Sequence, residues 1–133
     1  MSVPDPSRIL IVDDNDDGRS LMKQLLEENG FEVSEAGNGG AALDLLESEV
    51  EPELIVLDLE MPVMSGGELL AAMKKDERLS RLPVVIVSGS ARTTVPSDNA
   101  IVGVFSKPLL GDDFVATVKR CVAVARSRDG NRG

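Results

Sequence analysis

Apolar residues recur along the chain in blocks of strand length: Arg8 to Val12, Phe31 to Glu35, Leu54 to Leu57, Val84 to Val87 and Ile101 to Phe105. Three of these blocks are almost uninterrupted Ile, Leu and Val, the pattern of strands buried on both faces of a parallel sheet. Between them the period changes. Leu21, Met22, Leu25 and Leu26 repeat at helical spacing and Gly30 follows as a stop signal, which predicts a helix of about four turns. Ala41, Ala42, Leu45 and Leu46 repeat the pattern over a shorter span, as do Leu69, Leu70 and Met73 after Gly66 and Gly67. The last segment opens with Asp112 and Asp113, carries Phe114, Val115, Val118, Val122 and Ala125 on one stripe, and closes with Arg126 and Arg128. Those charges suit the helix macrodipole at both ends, and the segment is expected to be the longest helix after the first. From Ser88 to Ala100 there is almost no apolar stripe, and Pro96 interrupts any helix, so a loop with at most one or two turns is expected.

Five strands alternating with four or five helical segments predict one α/β domain, a three-layer sandwich whose right-handed crossovers place helices on both faces of a parallel sheet. The 133 residues suit a single core, and no internal repeat or second domain is visible. The domain is expected over residues 8–126. The ends, 1–7 and 127–133, are rich in Pro, Gly and charge and read as flexible.

Composition then narrows the chemistry. With no histidine and a single cysteine, Cys121, the chain has no Ser-His-Asp or Cys-His machinery, no internal disulfide and few means of holding zinc. Fourteen basic residues against 23 acidic ones leave a net charge of −9, which repels nucleic-acid phosphates and anionic lipid. The segment Met1 to Pro6 has neither a basic nor an apolar signal region, and no apolar run is long enough to span a bilayer. A cytoplasmic location without membrane insertion is expected.

In a sheet of this type, ligands bind beyond the carboxyl ends of the strands. The first strand ends in Asp13-Asp14, the third in Asp58 and the fourth in Ser88, and the fifth runs into Lys107-Pro108. Each has an ordinary reading alone: Asp13, Asp14 and Asn15 as helix caps, Asp58 as a turn residue, Ser88 as a loop serine, Lys107 as a solvated lysine. Together they say more. Three carboxylates at one sheet edge repel one another unless a cation sits among them, and an all-oxygen donor set suits magnesium. Lys107 adds a positive charge and Ser88 a hydroxyl donor, both suited to a phosphoryl group on Asp58, so the chemistry suggested is phosphoryl transfer to a carboxylate.

Four motifs carry a family resemblance: Ile11-Val12-Asp13-Asp14-Asn15, Leu57-Asp58-Leu59-Glu60-Met61-Pro62-Val63-Met64-Ser65-Gly66, Val85-Ile86-Val87-Ser88-Gly89 and Phe105-Ser106-Lys107-Pro108. In this order the chain resembles the receiver domain of two-component response regulators. The resemblance implies a flavodoxin-like five-stranded parallel sheet in the order 2-1-3-4-5, with the fourth helix short or degenerate here. It implies Asp58 as phosphoacceptor, Asp14 as a direct magnesium ligand, Asp13 as a ligand acting mostly through water, and Glu60 as a ligand through its backbone carbonyl. Ser88 is implied as the hydroxyl that moves onto the phosphoryl group and Lys107 as its ion-pair partner. It further implies a sensor histidine kinase or histidine phosphotransfer protein as donor and a downstream protein as target. The chain would be a monomer or a phosphorylation-dependent dimer, and not an enzyme beyond catalysing its own phosphorylation and dephosphorylation.

The chain also departs from the family. Three positions before Lys107, where the family often has an aromatic switch residue, stands Val104, with Phe105 one place later. The span from Ser88 to Lys107 is short and contains Pro96, so signalling is expected to act by ordering Gly89 to Asn99 through Ser88 instead of by a ring flip. Other classes fit less well. A flavin carrier needs a phosphate cradle where Asp13-Asp14-Asn15-Asp16-Asp17 stands, and in a haloacid-dehalogenase-like phosphatase the second acid, here Glu60, does not run into Met61-Pro62. Within the family, a relay or adaptor receiver from a hybrid kinase and a pseudo-receiver acting by binding alone remain alternatives.

Overall fold

A computed structural model describes residues 7–48, 52–58, 66–88, 101–106 and 111–130. Five strands, β1 (Arg8–Val12), β2 (Glu32–Ala36), β3 (Leu54–Asp58), β4 (Val84–Ser88) and β5 (Ile101–Ser106), form one sheet in the order β2-β1-β3-β4-β5, with every pairing parallel. The helices are α1 (Asp16–Glu27), α2 (Gly39–Glu47), α3 (Gly66–Lys74) and α4 (Gly111–Gly130), with a short 3-10 turn at Leu79–Arg81.

Period-two alternation divides the sheet's side chains between two cores. Leu10, Val12, Ile55, Leu57, Val84 and Ile86 point to one face, where they meet Ala42 and Leu46 of α2 and Leu69, Leu70 and Met73 of α3. Ile9, Ile11, Leu54, Val56, Val85 and Val87 point to the other, against Met22 and Leu26 of α1 and Phe114, Val115, Val118, Cys121 and Val122 of α4. The predicted three-layer α/β sandwich is the observed one, and β1, β3 and β4 owe their uninterrupted apolar runs to burial on both sides.

Local chemistry explains the boundaries. Asn15 caps α1, its Oδ1 accepting the Gly18 N–H at 2.7 Å, and Asp16 and Asp17 in the first turn suit the helix dipole. At the other end the Phe31 N–H donates to the Leu26 carbonyl and the Gly30 N–H to the Glu27 carbonyl, a Schellman closure that needs the left-handed φ of +88° at Gly30. Phe31 is thereby consumed in ending the helix, so β2 covers Glu32–Ala36, one residue later than the predicted Phe31 to Glu35. The helix has 12 residues, a little more than three turns against the four expected. Asn38 caps α2 in the same way, with Oδ1 2.8 Å from the Ala41 nitrogen.

Other details differ from the sequence reading. Leu21 is half exposed, because Met22 and Leu26 hold the inward stripe of α1. With 20 residues α4 is the longest helix of all, not the longest after the first, and its backbone stays helical through Gly130, past residue 126. Its buried stripe holds the predicted Phe114, Val115, Val118 and Val122 together with Cys121, while the side chain of Ala125 lies outside the described residues. At the opposite end the Ser7 carbonyl accepts the Glu32 N–H, so Ser7 is tied to the sheet. Val104 is exposed. The segment Gly89 to Asn99, and with it Pro96 and the expected short or degenerate fourth helix, lies outside the described residues. Among the described residues no helix is long and apolar enough to cross a membrane.

Candidate functional site

The site lies at the carboxyl ends of the central strands. β1 and β3 pair in parallel up to Val12 opposite Leu57. One step further along each chain stand Asp13 and Asp58, which continue the alternation of Ile9 and Ile11 and of Leu54 and Val56, the side chains facing α1 and α4. Asp13 is fully buried and Asp58 is 4% exposed, while Asp14 faces solvent. Asp13, Asp14 and Asp58 each offer a carboxylate oxygen, and these oxygens lie within 4.8 Å of one another.

Asp13 is fixed from several directions. Its N–H donates to the Ala36 carbonyl of β2 at 3.1 Å, and its Oδ1 accepts the Asn15 N–H at 2.9 Å. Its carbonyl accepts Nη1 of Arg19 at 2.8 Å. The turn is packed at ordinary contact distance: a Cβ built on Gly18 would lie 3.7 Å from Asp13 Oδ2 and 3.4 Å from Asn15 Oδ1. The predicted N-terminal acids therefore divide their work. Asn15 is the cap, Asp16 and Asp17 sit in the first helical turn, and Asp13 and Asp14 belong to the carboxylate cluster.

A donor set made only of carboxylate oxygens, two of them in nearly buried residues, fits a hard divalent cation, which would also offset the mutual repulsion of the group. Asp13, Asp14 and Asp58 are the described residues that could hold it. Glu60 and Lys107, the other two predicted members, lie outside the described residues. For Ser88 only the backbone is described: it follows Val87, the partner of Asp58, and is itself paired with Ser106, the residue before Lys107.

One member escaped the sequence reading. Arg19 of α1 reaches Asp13, Asp16 and Glu35, and Lys23 Nζ lies 3.4 Å from Glu35 Oε2. Its hydrogen bond to Asp16 holds the guanidinium pKa above its ordinary value, with burial opposing and the Asp16 and Glu35 charges assisting. The available signal was its position, since a cation in the first turn of a helix opposes the macrodipole and calls for a compensating partner.

Comparison with known proteins agrees with this geometry. The family model described as the response regulator receiver domain matches residues 9–119. The polar-differentiation response regulator DivK of Brucella anthropi is 32% identical over 117 residues, which span 86% of this chain and 94% of the relative. Among solved structures, a CheY-like response regulator receiver domain protein from Methanospirillum hungatei has a TM-score of 0.80 at 24% identity, covering 91% of this chain and 98% of that one. The signal receiver domain of a signal transduction histidine kinase from Syntrophus aciditrophicus has a TM-score of 0.73 at 28% identity, covering 88% and 90%.

Proposed function

The chain belongs to the response-regulator receiver family, and from that premise we propose that it is a working phosphoacceptor. It takes a phosphoryl group from the phosphohistidine of a sensor kinase or histidine phosphotransfer protein onto Asp58, in a magnesium-dependent reaction. It then signals through a phosphorylation-dependent contact with a downstream protein. The observation that carries this reading is the Asp58 carboxylate, 4% exposed at the end of β3 and grouped with those of Asp13 and Asp14.

Asp58 is the nucleophile. A carboxylate oxygen forms a bond to phosphorus in line with the breaking P–N bond, the imidazole leaves, and an aspartyl phosphate results. Asp13, Asp14 and Asp58 would hold the cation, with Glu60 as the further ligand that the family resemblance implies. Magnesium, when bound, supplies positive charge beside the phosphoryl oxygens. Lys107 pairs with those oxygens and Ser88 donates its hydroxyl to them, so that positioning and electrostatics supply most of the rate. Attack of water on the aspartyl phosphate releases phosphate and restores the carboxylate. Beyond this self-catalysed cycle the chain is not an enzyme, and it works in the cytoplasm.

The likeness to a histidine-kinase receiver favours a second reading, a relay or adaptor receiver that returns the phosphoryl group to a histidine phosphotransfer protein. Intact-protein mass after incubation with acetyl phosphate and magnesium tests the main proposal. A gain of one phosphoryl group, absent in Asp58→Asn and in EDTA, is expected. A normally folded chain that gains nothing from acetyl phosphate or from a phosphorylated kinase is a pseudo-receiver, and the proposal fails.

A further inference from the structure

We propose that Arg19 is a positioning residue of the metal site: it locks the Asp13 backbone so that the Asp13 and Asp14 carboxylates are presented together to the cation. The inference rests on the magnesium reading above and adds to it a residue from outside the carboxylate cluster.

Arg19 uses each of its guanidinium nitrogens. Nη1 donates to the Asp13 carbonyl at 2.8 Å, Nη2 to Asp16 Oδ1 at 2.6 Å and Nε to Glu35 Oε1 at 3.3 Å. One side chain of α1 thus ties together the end of β1, the first turn of its own helix and β2. Only 18% of the side chain is exposed, and the Cβ position of Gly37 lies 3.6 Å from Nη1, so the chain leaves close room for it. The fork is a geometry that a guanidinium provides and an ammonium does not.

The position of the clamp is what links it to the metal. Asp13 supplies a carboxylate to the cluster, and Asp14 is the next residue. With the Asp13 N–H held by Ala36 and Oδ1 by the Asn15 N–H, the Arg19 bond to the carbonyl fixes the peptide that joins Asp13 to Asp14. Rotation of that peptide would swing Asp14 relative to Asp13 and Asp58. The guanidinium also sets a fixed positive charge against the backbone of Asp13, one of the three clustered acids. Partners that orient metal ligands from behind are typically worth about tenfold or more in metal affinity.

The test is magnesium affinity by calorimetry on the full chain without any phosphodonor, for the wild type, Arg19→Met, Arg19→Lys and Arg78→Met. Arg78 is the control for a purely structural clamp, because its Nη2 donates to the Leu46 carbonyl at the end of α2, remote from the acids. We expect Arg19→Met to bind magnesium about tenfold more weakly and Arg19→Lys to recover only part of the loss, while Arg78→Met melts earlier and binds as the wild type does. Should Arg19→Met not fold, Arg19→Lys carries the same comparison. Wild-type affinity in the folded Arg19 variants, or an equal loss in Arg78→Met, overturns the positioning role alone. A folded wild type that binds no magnesium overturns the metal reading itself, and this inference with it.

Discussion

Asp13 and Asp58 stand side by side one residue beyond Val12 and Leu57, the last registered pair of β1 and β3. Parallel register at the sheet's centre therefore brings together two nearly buried acids 45 positions apart in sequence, and Asp14 completes the group from the loop. Such an arrangement is electrostatically costly when empty and favourable when filled by a divalent cation.

Asp14→Asn should separate those two effects. Removing one of three carboxylates whose oxygens lie within 4.8 Å of one another relieves repulsion of about 1 kcal/mol at high effective dielectric. In EDTA the variant should therefore melt a few degrees above the wild type. With magnesium the order reverses, because mass action stabilises a binding-competent chain by about 2.7 kcal/mol at a hundred times the dissociation constant. Calorimetric melts in both conditions check this, and a variant that melts below the wild type in EDTA would contradict the repulsion argument.

Helix capping beside the site should prove separable from it. In Asn15→Ala the side-chain acceptor for the Gly18 N–H is lost, but the backbone N–H that Asp13 Oδ1 accepts is kept. The expected cost is about 1 kcal/mol of stability, with magnesium affinity within about twofold of the wild type. Denaturant unfolding and a magnesium titration measure the two quantities on one sample.

The architecture was legible because β1, β3 and β4 are buried on both faces and read as continuous apolar runs, and because the ends of β1, β3, β4 and β5 carry polar residues the core does not need. Less was legible where one group serves two elements. Phe31 looks like the start of a strand, yet its N–H closes α1. Leu21 sits at helical spacing with Leu25, but spacing does not say which of the adjacent pair Leu21 and Met22 turns inward. The polar end of α4 has no apolar stripe to mark its length. The 3-10 turn is held by Asp76 Oδ1, which accepts the Arg78 and Leu79 N–H groups, a local bond without hydrophobic period. Within the site, Asp13, Asp14 and Asp58 could be read from strand ends, whereas Arg19 could not: its partners lie three, six and sixteen residues away, and two of them only become neighbours through the sheet.

A packing prediction concerns the edge strand. A Cβ on Gly103 would lie 3.2 Å from Cys121 Sγ and 3.7 Å from Val85 Cγ2. The thiol is buried between α4 and β5, with Sγ 3.7 Å from the Val102 carbonyl, and has little room to retreat. Gly103→Ala should cost about 1–2 kcal/mol as a small overpacking. Adding Cys121→Ala removes the opposing atom, so the double variant should be more stable than the two single effects added together, with a coupling of about 1 kcal/mol. Strict additivity in urea unfolding would show that the strand yields instead.

The same thiol gives the chain a pH signature. Burial pushes the Cys121 pKa up, against a smaller opposing effect of the Arg120 charge. A raised value in the fold means that the folded chain holds the thiol proton more tightly than the unfolded chain does. The resulting stability is complete below the unfolded thiol pKa of about 8.5 and is lost as the pH climbs through the higher folded value. Native protein at pH 7.5 should accordingly resist thiol reagents, with labelling limited by unfolding. From about pH 8.5 upward wild-type stability should fall more steeply than that of Cys121→Ala, because only the wild type gains by ionising when it unfolds. Parallel urea melts between neutral pH and pH 10 measure the difference, and curves that stay parallel above the unfolded thiol pKa would show that the buried sulfur is already solvated in the fold.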